Sequence, residues 1–210
     1  MSEIVKVDER RLKFALEYAV RLILTGKVVA FPTDTFYGLG VDPFNLAAVS
    51  EIFRIKRRSY DRPLPLLVAS LDQAADLAID PPSSFFRLAE KFWPGPLTII
   101  VPASRQIPLK VTGNTGRLAM RQSRAPVGNA LLEKLDQPLI STSANISGSP
   151  TCRSGIEVFG VMDGRVDLVL DGGSCGGAGA TTIDITEPWW RVIREGGVPA
   201  KEIAEVLKGQ

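Results

Sequence analysis

Arg54, Lys56, Arg57, Arg58 and Arg62 crowd into nine residues, opposed in that span only by Asp61. If the chain leaves a helix extended at Lys56, then Lys56 and Arg58 point one way and Arg57 the other. Two cations on one face with Arg62 nearby suit a polyphosphate, because a guanidinium grips two oxygens at once and an ammonium adds a point charge. The same run also suits a basic helix C-terminus that offsets its dipole. A second candidate is Ser141-Thr142-Ser143-Ala144-Asn145. In an extended chain Ser141, Ser143 and Asn145 line one face, which sets two hydroxyls and an amide in a row. Asx and Ser turns that cap the next element are the alternative. The third is Phe31-Pro32-Thr33-Asp34-Thr35-Phe36-Tyr37-Gly38-Leu39-Gly40, after a short apolar run. Ligands settle at the carboxyl ends of strands in open α/β sheets, although a tight Thr/Asp turn uses the same residues. A looser basic scatter follows at Arg105, Lys110, Arg117, Arg121 and Arg124.

The chemistry is bounded by what is missing. The 210 residues include no histidine, so Ser-His-Asp and Cys-His catalysis, HExxH metal sites and any histidine base are excluded. Cys152 and Cys175 cannot by themselves complete a four-ligand zinc site, and no protein metal site is expected. So few cysteines point to a reduced, cytoplasmic setting. Residues 172–179 are glycine-rich, but neither GxxxxGK[ST] nor a GxGxxG after a strand occurs, so this segment reads as a mobile loop. The net charge of +2 does not demand a nucleic-acid partner. The charged amino terminus has no apolar h-region, and no apolar stretch approaches the roughly 20 residues of a membrane span, so no membrane association is expected.

These residues need a scaffold, and the length suits one domain spanning residues 1–210. Asp8 reads as the N-cap of a first helix through Leu12, Leu16, Val20 and Ile23, stopped at Gly26. Val28–Phe31 reads as a buried strand broken by Pro32, and Asn45 as the cap of a second helix that runs into the basic cluster. Further strands are expected at Leu66–Val68, Leu97–Val101, Leu118–Arg121, Pro138–Ser141, Leu168–Leu170, Thr181–Ile185 and Trp190–Ile193. Further helices are expected at Pro82–Phe92, Pro126–Leu135, Gly155–Met162 and Ala200–Leu207. The interleaving argues for an α/β domain with a mixed sheet.

Taken in order, Phe31–Gly40, Lys56-Arg57-Arg58, Phe92-Trp93-Pro94-Gly95-Pro96-Leu97-Thr98 and Ser141–Gly148 closely resemble the YrdC/Sua5 family. The motifs K-x-R, PGPLT and STSAN-x-SG carry the resemblance, which extends from about Val7 to Val206. It implies a twisted mixed sheet flanked by helices, with a basic concave ligand cavity. It also implies the activity of a threonylcarbamoyl-AMP synthase, which activates L-threonine and bicarbonate with ATP and Mg²⁺ for the t6A modification of tRNA. Lys56 and Arg58 then match the catalytic pair on the ATP phosphates, both expected to be exposed to the cavity. Arg62, Ser143, Asn145 and Arg194 match further ATP positions, and Thr35, Arg121, Ser141 and Thr181 match positions that hold threonine. Partners implied are a tRNA-modifying threonylcarbamoyl transferase complex and, through the basic residues, RNA.

The departures fall on the threonine side. The histidine that often follows K-P-L or N-P-L in the family is absent from Pro65-Leu66-Leu67. R-[IV]-P becomes Arg121-Gln122-Ser123, and P-S-T becomes Gly179-Ala180-Thr181. Two other readings stay open at this point: a non-catalytic double-stranded-RNA-binding module, and an enzyme that adenylates a different carbamate.

Overall fold

Period-two alternation of apolar residues builds one ten-stranded sheet in a computed structural model that describes residues 1–208. Residues 209 and 210 of the expected 1–210 domain lie outside the described residues. The strands are β1 (Glu3–Lys6), β2 (Val29–Pro32), β3 (Tyr37–Val41), β4 (Leu66–Leu67), β5 (Leu97–Pro102), β6 (Arg117–Arg121), β7 (Leu139–Ser143), β8 (Leu168–Asp171), β9 (Thr181–Asp184) and β10 (Arg191–Arg194). Their order across the sheet is β1-β8-β2-β3-β7-β4-β6-β5-β9-β10. Parallel pairs (β1 with β8, β8 with β2, β4 with β6, β5 with β9) occur beside antiparallel ones, so the sheet is mixed.

The helices are α1 (Leu12–Leu24), α2 (Leu46–Lys56), α3 (Leu71–Asp76), α4 (Ser83–Phe92), α5 (Pro126–Leu135), α6 (Gly155–Met162) and α7 (Ala200–Leu207). One face of the sheet packs its apolar residues, among them Ala30, Leu39, Ile99, Met120 and Ile183, against buried side chains of α2, α3, α4, α6 and α7. The other face buries Val29, Phe31, Leu67, Leu139, Leu168 and Leu170 under α1 and α5 alone. These two helices cover only part of that face, and the uncovered part becomes the site.

The three late helices end where the periodicity places them, and Asn45 caps α2 by accepting the Ala48 N–H at 3.1 Å. Asp8 instead closes the turn before α1: its carboxylate accepts from Arg10 and Arg11 N–H, while the N-cap is Arg11. β3 lies inside the segment that reads as a loop, because Gly38 and Gly40 dilute its strand signal. Both glycines answer to close packing. A Cβ at Gly38 would stand 2.8 Å from Ser141 Oγ, and one at Gly40 would stand 2.7 Å from the Phe31 ring.

The chain is not extended at Lys56. Lys56 is the last residue of α2, and Arg57 follows as a left-handed cap with φ 49°. The helical turn sends Lys56 inward, and the cap returns Arg58 toward the open half of the sheet.

Candidate active site

The alternation that fills the core also furnishes the cavity. On β5, β6 and β9, Leu97, Ile99, Leu118, Met120 and Ile183 face the helices. Their neighbours Thr98, Ile100, Arg117, Ala119, Arg121, Thr182 and Asp184 line a cavity of about 540 Å³. β7 passes from Leu139 in the α1/α5 core to Ser141 and Ser143 in the lining, two and four residues further along one face. Thr33 and Thr35 enter from the turn before β3, Arg58 and Pro63 from the segment after α2, and Ile193 and Arg194 from β10. The charged residues of the lining are Arg58, Arg117, Arg121, Arg194 and Asp184.

Lys56 departs from its expected exposure, since it is 2% exposed and absent from the lining. Its ammonium donates to Ser143 O at 2.5 Å, Asn145 O at 2.9 Å and Asn145 Oδ1 at 2.8 Å. Ser143 Oγ donates to Asn145 Oδ1 at 2.7 Å, and Asn145 Nδ2 donates to Ser149 O at 2.6 Å. Lys56 therefore fastens the Ser143-Ala144-Asn145 bend from beneath, and Asn145 spends its side chain inside that network. Burial, and then the neighbouring Arg58, lower the Lys56 pKa to about 8.

Arg58 does reach the cavity. Its guanidinium donates to Pro63 O at 2.7 Å, and its Nε is buried with no partner among the described residues. Burial, and then repulsion from Arg62, push its pKa down. Arg62 itself is exposed and does not line the cavity, so it acts on Arg58 through space. Arg194 donates twice to Ala180 O, at 3.1 and 2.9 Å.

Arg121 has a different setting. Its guanidinium pairs with Asp34 Oδ1 at 2.9 Å, with both side chains under a tenth exposed. Ser123 Oγ donates to the same oxygen at 2.6 Å, while Asp34 Oδ2 is buried with no partner among the described residues. Arg117 pairs with Asp184 at 3.1 Å and with Glu187 at 2.7 Å. Burial works against ionised Asp184, but Thr186, Arg117 and Arg191 outweigh it and hold its pKa below the usual carboxylate value.

Of the expected threonine positions, Thr35, Arg121 and Ser141 line the cavity, and Thr181 does not. Thr181 is 0% exposed; its hydroxyl donates to Val198 O at 2.7 Å and accepts from Val198 N–H at 3.0 Å. The register explains the difference, because β9 turns Thr181 and Ile183 to the core and Thr182 and Asp184 to the cavity. Asp34 and Asp184 escaped the sequence reading as site residues, and Thr182 entered it only as an alternative to Thr181 for the missing serine hydroxyl. Asp34 sat in plain view within the Phe31–Gly40 run, but its Arg121 partner is 87 residues away. The glycine-rich segment is pinned at several points, with Tyr37 Oη donating to Gly173 O at 2.7 Å and Cys175 N–H to Arg153 O at 2.7 Å. Both cysteines are free. Among the described residues no helix is long and apolar enough to cross a membrane.

A mixed α/β sheet with a hydroxyl- and arginine-lined hollow at its uncovered half defines a class, and comparison with known proteins gives it a family. The Sua5_yciO_yrdC family model, described as Telomere recombination, matches residues 21–196. The chain is 38% identical over 208 residues to a threonylcarbamoyl-AMP synthase of Pyrococcus abyssi, covering 99% of this chain and 61% of that protein. It is 34% identical over 191 residues to a threonylcarbamoyl-AMP synthase of Bacillus subtilis, covering 90% of this chain and 55% of that protein. The structure of P. abyssi Sua5 complexed with L-threonine superposes with a TM-score of 0.92 at 36% identity, covering 99% of this chain and 61% of that one. The chain thus spans little more than half the length of these relatives. It belongs to the Sua5/YciO/YrdC family.

Proposed function

We propose that this chain forms L-threonylcarbamoyl-AMP and diphosphate from L-threonine, bicarbonate and ATP, for the t6A modification of tRNA. One observation carries the reading: a single cavity of about 540 Å³ joins the carboxylate-paired Arg121 to Arg58 and Arg194, which make no ion pair among the described residues. Such a cavity is of a size to take small ligands, and its two kinds of cation suit an amino-acid carboxylate and a polyphosphate respectively.

In this reading Arg121 receives the threonine carboxylate, with the Thr35 and Ser141 hydroxyls and, in place of Thr181, the Thr182 hydroxyl beside it. Arg58, Ser143 and Arg194 receive the phosphates. Lys56 and Asn145 hold Ser143 in place, and Arg62 adds positive potential outside the lining. Threonine and bicarbonate lose water to give N-carboxythreonine. Its carbamate oxygen attacks the α-phosphorus of ATP, and diphosphate leaves with the bond electrons. Arg58 and Arg194 offset the charge that builds on the phosphoryl oxygens, so the protein works by positioning and electrostatics, without a nucleophile of its own. Asp184, the carboxylate of the lining, is already held by Arg117, Arg191 and Thr186. Mg²⁺ would accordingly enter as part of the Mg·ATP substrate. The product's destination is tRNA, which makes this a cytoplasmic protein that passes its intermediate to a threonylcarbamoyl transferase complex, with RNA contact at its basic surface.

Diphosphate release by the purified protein tests the reading, with ATP and Mg²⁺ present and threonine or bicarbonate withheld in turn. Release that needs both substrates is expected. Equal release without threonine overturns the proposal.

A further inference from the structure

We propose that Asp34 sets the selectivity of the amino-acid corner: it positions Arg121 and cancels its charge, so that this corner takes a singly charged carboxylate and turns phosphate away. The inference rests on the proposed function above and deepens it.

The cavity holds cations of two kinds. Arg58 and Arg194 lean on the neutral carbonyls of Pro63 and Ala180 and keep their full charge. Arg121 leans on a carboxylate, and among the described residues Asp34 alone accepts a hydrogen bond from it. The Arg121–Asp34 pair is more than nine-tenths buried, so solvent and salt screen it weakly. Arg194 stands near enough to depress the Arg121 pKa further, after the larger effect of burial. With Asp34 neutral, Arg121 and Arg194 would form a second doubly cationic patch that competes with Arg58 for the polyphosphate. With Asp34 ionised, the corner is locally near neutral. A carboxylate can still be recognised there through the directed N–H groups of Arg121, whereas phosphate, with its greater charge, meets the field of Asp34.

Shape alone does not call for a carboxylate at this position. Asp34 Oδ1 receives both the Arg121 and the Ser123 hydrogen bonds, and Oδ2 receives none among the described residues. The amide oxygen of an asparagine could accept the same two bonds. What aspartate adds is a negative charge.

The test is Asp34→Asn in the full chain, titrated calorimetrically with inorganic phosphate and separately with L-threonine. Phosphate should bind about tenfold more tightly than to the unaltered protein, the size expected for removing one buried negative charge a few ångströms from the ligand. Damaged folding would weaken phosphate binding, so a gain is not a consequence of structural harm. Unchanged or weaker phosphate binding by a variant that melts like the parent overturns the proposal. Ser123→Ala provides a second test, because it frees the Asp34 carboxylate while keeping its charge. L-threonine affinity should then fall a few-fold with phosphate affinity unchanged, and tightened phosphate binding there would also overturn the proposal. The phosphate measurement does not depend on threonine. If the unaltered protein bound no L-threonine, the amino-acid reading would fail separately.

Discussion

The cations in and beneath this cavity fall into two groups that share a charge and differ in what supports them. Lys56, Arg58 and Arg194 rest on backbone carbonyls or an amide, and make no ion pair among the described residues. Arg117 and Arg121 rest on Asp184, Glu187 and Asp34. A carbonyl orients a cation and leaves its charge available; a carboxylate orients it and takes the charge away. In the proposed reading this difference lets one hollow hold a polyphosphate and an amino acid beside each other without confusing their anionic groups, although both are met by arginines.

Arg58→Ala is the strongest way to break the comparison. It removes a charge the protein does not compensate, and kcat/KM for ATP should fall about a hundredfold or more, the scale of losing one preorganised electrostatic contact. The Pro63 carbonyl it leaves is a modest loss, so the melting temperature should change little. Near-normal turnover would show that the carbonyl-supported group does not bind the phosphates.

Lys56 sharpens the comparison through pH. The unfolded chain keeps this lysine protonated up to about its ordinary 10.5, while burial brings the folded value to about 8. Between these values the unfolded state binds more protons, so folding stability contributed by this group rises with pH. Relative to Lys56→Met, which carries no such group, the unaltered protein should gain up to about 3 kcal/mol over that window. Urea denaturation of both proteins at about pH 7.5 and about pH 10 measures the gain. An equal pH response in the two would mean that Lys56 is not the buried cation described here.

The smallest effects come from a pair of adjacent threonines. Thr181→Val breaks two buried hydrogen bonds to Val198 and should cost about 1–3 kcal/mol of stability with the KM for threonine unchanged. Thr182→Val should do the reverse, raising that KM a few-fold with little change in stability. Chemical denaturation alongside steady-state kinetics separates them, and an exchange of the two outcomes would place the wrong threonine in the cavity.

Much of the scaffold was legible because it obeys local rules. Asn45 announces α2, and the α5, α6 and α7 boundaries follow from apolar periodicity and flanking breakers. β1 and β3 were harder to read. β1 is a largely exposed edge strand with no alternation to detect, and β3 carries glycines where Phe31 and Ser141 press close. The side that Thr181 faces is illegible for a related reason: within Gly179-Ala180-Thr181-Thr182, composition cannot say which hydroxyl faces which side, and a one-residue step in a strand reverses the answer.

By itself the sequence determined which chemistry is open to this protein. Without histidine, the work falls to arginines, a lysine and hydroxyls, gathered in motifs whose residue types suit phosphate and carboxylate. It also determined most of the helices and most of the strands, because these depend on contacts within a few residues, although the six-residue α3 was not among them. Only the tertiary structure decided which cations keep their charge. Asp34 meets Arg121 across 87 residues, Arg117 meets Asp184 across 67, and Lys56 meets Ser143 across 87. Electrostatic environment is set by neighbours in space, and in a mixed sheet those neighbours come from distant parts of the chain.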